Sequence, residues 1–103
     1  MCASNTLPIH VRAMRDSTAA LLEGVGMRGE DLRNACTTEE IHGRALRSAS
    51  ELALVRGVST RILGVRNDEI LRATAPVLHS ALSLVEYCSR VTFAARQREA
   101  AHG

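Results

Sequence analysis

Apolar residues along this chain recur mostly at three- and four-residue intervals, the spacing of a helix face turned to a core, and glycine, proline or capping residues separate them into blocks. A first helix is expected with Thr6 as its cap and Gly24 at its end, Pro8 being tolerated in the opening turn. Its inner face reads as Ile9, Ala13, Met14, Leu21 and Leu22. Gly24-Val25-Gly26-Met27-Arg28-Gly29 then interrupts the pattern, and a short turn of helix is expected over 30–35. Thr37-Thr38-Glu39-Glu40 reads as a capping box, the Thr37 hydroxyl meeting the Glu40 amide and the Glu40 carboxylate reaching back. The helix it opens is expected to run to about Leu63, with Ile41, Ala45, Leu52, Val55 and Ile62 inward. Ala49, Ala53 and Gly57 recur at every fourth position, which lets another helix approach closely, and Gly64 stands where a C-terminal glycine cap belongs.

Asn67-Asp68-Glu69 predicts the start of a third helix, its acidic side chains facing the positive helix end. Pro76, two turns in, removes an intrahelical hydrogen bond and crowds the preceding turn. A kink is expected there, or a short helix over 68–74 and a fresh start capped by Thr74. From Ala73 to Val85 the only ionisable side chain is His79. Val77, Leu78, Ala81, Leu82, Leu84, Val85, Cys88, Val91, Phe93 and Ala95 cover an arc of roughly 200° at 100° per residue, where a stripe of little over ~100° suffices for a helix with one buried side. One neighbouring helix cannot cover that arc, so the last helix is expected to dock onto something else. The fold class expected is all-α: a small three-helix arrangement with a Pro-kinked or split C-terminal helix, one domain over 1–103, with 1–5 and 97–103 fraying.

Composition narrows the function. The chain has 103 residues with one Phe, one Tyr and no Trp, so its core rests on small aliphatic side chains and marginal stability alone is expected. All thirteen basic residues are Arg and the net charge is +2. No basic patch of the size that phosphate contacts require is visible, so nucleic acid is not an expected partner. Nor is a membrane, since no run approaches the ~20 apolar residues of a span. Cys2, Cys36 and Cys88 are odd in number and lack CxxC spacing, which argues against a disulfide framework and a zinc site. Cys88 is expected to be a buried hydrophobe, and the compartment a reducing one.

Candidate chemistry is thin. Glu39…His42 and Glu99…His102 have the Glu-x-x-His spacing of carboxylate-bridged di-iron bundles, but one pair falls in a first helical turn and the other near the chain end. Arg72 and His79 have the loose spacing of some small helical ribonucleases, with Pro76 between them. No catalytic set with recognisable context is present, nor a phosphate-cradling loop. The expectation is a non-enzymatic chain with no cofactor, metal or small-molecule substrate.

The same segment carries a resemblance. Glu69-Ile70, Ala73-Thr74, Pro76-Val77-Leu78, Leu82-Ser83 and then Ser89 resemble the core of the cytomegalovirus (betaherpesvirus) small capsid proteins, and Ile62-Leu63 falls where that family has a Val pair. The likeness spans about a quarter of the chain; Lys-rich flanks and a basic tail are missing, and the first 57 residues have no counterpart. The resemblance implies a helical cap on the outward tips of the major capsid protein, in the virion capsid and the host nucleus, that helps recruit a tegument phosphoprotein. It also implies Ile70, Val77, Leu78 and Leu82 as groove-facing anchors, with Pro76 setting a kink; Val85 continues the same docking face. The alternative is a helical-hairpin partner of the bacterial type VII (WXG-like) secretion kind, which length and Arg-only basicity also fit. The turn Gly64-Val65-Arg66-Asn67-Asp68 lacks the Trp-x-Gly of such proteins, however, and no acid follows Tyr87 at the fourth position. Without the capsid identity, a cytoplasmic location is expected.

Overall fold

A computed structural model describes residues 7–61 and 68–102. It is all-α: α1 (Ile9–Gly24), the single turn α2 (Glu30–Arg33), α3 (Thr38–Arg61) and α4 (Asp68–His102). No strand occurs among the described residues. The expected caps Thr6, Gly64 and Asn67, and the inward Ile62, lie outside them, as does the Ile62-Leu63 pair.

Pro8 rather than a hydroxyl residue precedes α1, and its carbonyl accepts the Val11 and Arg12 amides, both at 3.1 Å. The buried stripe of α1 is Val11, Arg15, Thr18, Ala19 and Leu22. This corrects the expected inner face: Leu22 is buried, but Ile9 is 77% exposed and Leu21 also faces solvent. The true stripe contains two polar residues, and both are satisfied, which is what permits their burial. Arg15 donates through Nη1 to the Ala35 carbonyl at 2.6 Å and through Nε to Asp16 at 3.0 Å. The Thr18 and Ser80 hydroxyls pair at 2.8 Å.

The linker back to α3 lies close against α1. Gly26 takes φ 80°, a left-handed backbone that suits glycine, and a Cβ on Gly29 would collide with the Ala19 carbonyl oxygen. At the start of α3 half of the expected capping box forms. The Glu40 amide donates to Thr37 Oγ1 at 3.1 Å, but the Glu40 carboxylate accepts from the Thr37 hydroxyl and from Arg44 at 3.1 Å instead of reaching a backbone amide.

α4 is one unbroken helix through Pro76 and on to His102, not two pieces, and it continues past Arg96 where fraying was expected. Thr74 does not cap a fresh start. It is buried, its hydroxyl donates to the Ile70 carbonyl at 2.6 Å, and Arg56 Nη1 donates both to that hydroxyl and to the Leu71 carbonyl at 2.8 Å. The turn before the proline is thus held by side chains from within α4 and from α3. Pro76 denies the Arg72 carbonyl its usual amide donor, and since Arg72 and Pro76 are both exposed, water can take that place.

α3 and α4 form an antiparallel hairpin: Arg56 reaches Leu71 and Thr74 at one end, while Glu39 and His42 share a cavity with Ser89, Thr92 and Arg96 at the other. α1 packs antiparallel to α4, with Thr18 beside Ser80 and His10 Nε2 at 2.6 Å from the Tyr87 hydroxyl. α2 leans on α3, where Arg44 donates to the Asp31 carbonyl at 2.6 Å. The core between these elements is Leu7, Val11, Ala19, Leu22, Leu32, Ala35, Ile41, Ala45, Leu52, Val77, Leu84 and Cys88. Val55, expected inward, is 48% exposed: it lies on the α3 side that lines a cleft with the Gly26–Arg28 linker and Asp31.

Candidate docking face

The broad apolar arc of α4 is covered mostly from within the chain. Val77, Ala81, Leu84 and Cys88 are buried in the core, while Leu78, Val85 and Tyr87 pack against its margin half-exposed. Two neighbours share the arc, α3 along its middle and α1 on one flank. The single-neighbour argument therefore fails as the reason for docking.

What remains uncovered is narrower and lies on the other flank. On a helical wheel at 100° per residue, Ser80 and Tyr87, the α4 residues that meet α1, lie about 60–80° to one side of Val77. Leu78, Leu82 and Val85 lie about 80–140° to the other. On α3 the residues facing α2 and the linker are Arg44, Arg47, Ser48, Glu51 and Val55; Leu46, Ala53 and Gly57 lie about 80–120° from Ala45 on the opposite side. The shared cavity of about 180 Å³ fixes that these two flanks meet, because His42 and Glu39 from α3 line it with Ser89, Thr92 and Arg96 from α4. No described element packs over this side of the hairpin.

The face so defined has Leu46 at 45% exposure and Leu82 at 48%, with half-buried Leu78 and Val85 and the exposed Ala53 between them. Leu54 stands exposed at its edge. Between Leu46 and Ala53 on α3, and between Leu78 and Val85 on α4, the wheel puts no charged side chain on it. Its ends are polar: Arg56, bonded to Thr74, at the hairpin tip, and Glu39, His42 and Arg96 at the other.

Of the residues expected to dock, Leu78, Leu82 and Val85 come together here. Val77 does not: at 2% exposure it belongs to the chain's own core. Ile70 is half-buried near the hairpin tip, and Pro76 is exposed on the α1 flank of α4, away from this face. Leu46 was missed, and Ala53 was singled out only as part of the small-residue repeat Ala49-Ala53-Gly57. The signal that could have found them is the register of α3 against α4, which Arg56 sets and which no local pattern encodes.

Other candidate chemistry is dispersed. Among the described residues no three His, Cys, Asp or Glu side chains are placed to hold a metal ion. Glu39 and His42 lie together at the cavity mouth, and the His102 side chain lies outside the described residues. His79 is exposed beside a cleft of about 460 Å³ between α1 and α4 that Ser17, Thr18, Ser80 and Ser83 also line, without a carboxylate. Burial pushes the Cys88 thiol above its ordinary pKa, which keeps it protonated and unreactive. Cys36 is disulfide-bonded, which the odd count and the spacing of the cysteines gave no reason to expect; Cys2 lies outside the described residues. No described helix is long and apolar enough to cross a membrane.

No family model, curated protein or solved structure matches the chain.

Proposed function

We propose that this chain is a non-enzymatic interaction protein that presents the open side of its α3–α4 hairpin to a helical partner. One observation carries the reading: Leu46 and Leu82, on adjacent helices, both stand about half-exposed on the one side of the hairpin that no described element covers. Burying a Leu contributes about 1.5–3 kcal/mol, and a few central anchors with a polar rim are the usual make-up of a specific interface.

The resemblance over residues 69–89 lends the proposal one specific form. In it the partner is a major capsid protein, the setting is a virion capsid, and a tegument phosphoprotein is recruited in turn. Ile70, Leu78 and Leu82 remain available as anchors in that form, and Val77 drops out of the set. This identity rests on the resemblance alone.

The test is recovery of the tagged chain from its native source, with sedimentation of what is recovered. The expected result is a stable complex, with itself or with another protein, that Leu46→Glu/Leu82→Glu abolishes and Glu86→Ala/Arg90→Ala leaves intact. The Glu86–Arg90 pair is exposed at 3.8 Å, and such pairs contribute ~0.5 kcal/mol or less. A free monomer in the source, or a complex indifferent to the leucine variant, contradicts the proposal.

A further inference from the structure

The covering partner can be taken further, on the premise that the hairpin face is a docking face. We propose that its occupant is a second copy of this chain, packed about a two-fold axis parallel to the helices to close an antiparallel four-helix bundle with α1 and α2 outside.

Relief, charge and area lead to this arrangement. The face has a ridge and a trough side by side: Leu78, Leu82 and Val85 on α4, and Ala53 and Gly57 on α3, where a Cβ at Gly57 would meet nothing within 4 Å and Leu46 closes the trough toward the start of the helix. A two-fold axis along the helices is the operation that lays each chain's α4 ridge over its partner's α3 trough. An axis across the helices would set ridge on ridge. The chosen axis also makes all four helices alternate in direction, the arrangement of simple bundles, and an isologous contact uses one patch twice.

Charge agrees with the same operation. Glu39 on α3 and Arg96 on α4 line the cavity at one end of the face, and neither pairs with an opposite charge among the described residues. The axis along the helices brings each Glu39 toward the partner's α4 at the level of Arg96, giving two reciprocal acid–base approaches. The middle of the face carries no charge to repel its own image.

The surface account matches in size. A compact monomer of this mass exposes about 5,700 Å², whereas this chain exposes 6933 Å². The excess exceeds the ~800 Å² that each partner contributes to a standard interface. Across its thinnest direction the chain measures only 16 Å, so a second hairpin layer supplies the depth that it lacks.

Sedimentation equilibrium and native mass spectrometry of the purified full-length chain test this directly, at about 100 μM, well above the Kd of a micromolar dimer. The expected mass is twice 11.1 kDa. Leu46→Glu and Leu82→Glu, each at a site already half-exposed and so tolerated by the folded monomer, should each weaken the dimer at least ~10-fold with helical circular dichroism retained. Val58→Glu, exposed on the α2 side of α3, should leave the dimer unchanged. Glu39→Arg should weaken association and Glu39→Arg/Arg96→Glu restore it. A folded monomer at this concentration overturns the second-copy inference and leaves the face to a different protein. A dimer indifferent to both leucine variants overturns the inference and the docking face together.

Discussion

At the residue scale, the fold depends on polar side chains buried where an apolar pattern gave no warning. Arg15 is the clearest case. Its guanidinium ties α1 to the Ala35 carbonyl beyond α2, and the stripe it belongs to was hidden because the larger apolar residues Ile9 and Leu21 lie off it. Hydrophobicity alone cannot distinguish a buried arginine with partners from a solvated one; only the position of the Ala35 carbonyl decides. Arg15→Met keeps the aliphatic bulk and removes this charge-assisted hydrogen bond, which should cost about 1.5–3 kcal/mol. Urea unfolding measures it, and a loss within the ~0.5 kcal/mol of an ordinary surface substitution would contradict the role. Thr74 teaches the same lesson: its β-branched hydroxyl suits a cap, but in place it bonds back to Ile70 and receives Arg56.

At the scale of elements, the start of α3, the end of α1 and the single turn of α2 were legible, because a cap, a glycine cluster and helical spacing are local signals. The continuity of α4 was not. Its proline is tolerated since α3 supplies Arg56 to the turn before it, a tertiary contact overriding a local preference. Pro76→Ala should therefore raise stability, by up to ~3 kcal/mol if the full interior cost of proline is recovered, with no loss of packing since the ring is exposed. Denaturant unfolding checks this; a destabilised variant would show that the proline holds the helix in a shape the fold needs.

The link between α1 and α2 is electrostatic as well. Arg33 Nη2 donates to Glu23 at 2.6 Å, and that hydrogen bond, with the guanidinium charge, holds the Glu23 carboxyl below its ordinary pKa. A carboxyl whose folded pKa is depressed stabilises the fold above its unfolded pKa and loses that contribution as pH falls through the folded value. Arg33 stays protonated across this window. Glu23→Gln should thus leave a shallower decline of stability on the acid side of the carboxylate range, read from thermal midpoints across a pH series. An unchanged acid limb would mean that the exposed pair contributes nothing.

At the scale of the whole molecule, the chain is long and thin. α4 alone spans about 52 Å at 1.5 Å per residue, close to the 55 Å extent of the molecule. The radius of gyration is 15.7 Å, against about 13 Å for a compact domain of this length. The sequence led to the expectation that the last helix docks onto something else, but the arc that carried it is mostly covered from within the chain. A wide arc on one helix shows that several neighbours are needed; it does not say whether they come from the same chain. α1 and α3 take the centre of the arc and with it Val77, leaving Leu78, Leu82 and Val85 to make a face jointly with Leu46 and Ala53. That face is a property of two helices in register, which is why Leu82 was found and Leu46 was not.

The central claim is that this shared α3–α4 face is covered in the working protein while the chain's other exposed apolar residues are not. Side-chain methyl NMR of the full-length chain in the presence of a soluble paramagnetic agent measures that coverage residue by residue. The account predicts that the Leu46 and Leu82 methyls keep their intensity while Ile9 and Leu54, at the helix start and the face's edge, are strongly attenuated. Leu46 and Leu82 attenuated as fully as Ile9 would contradict it.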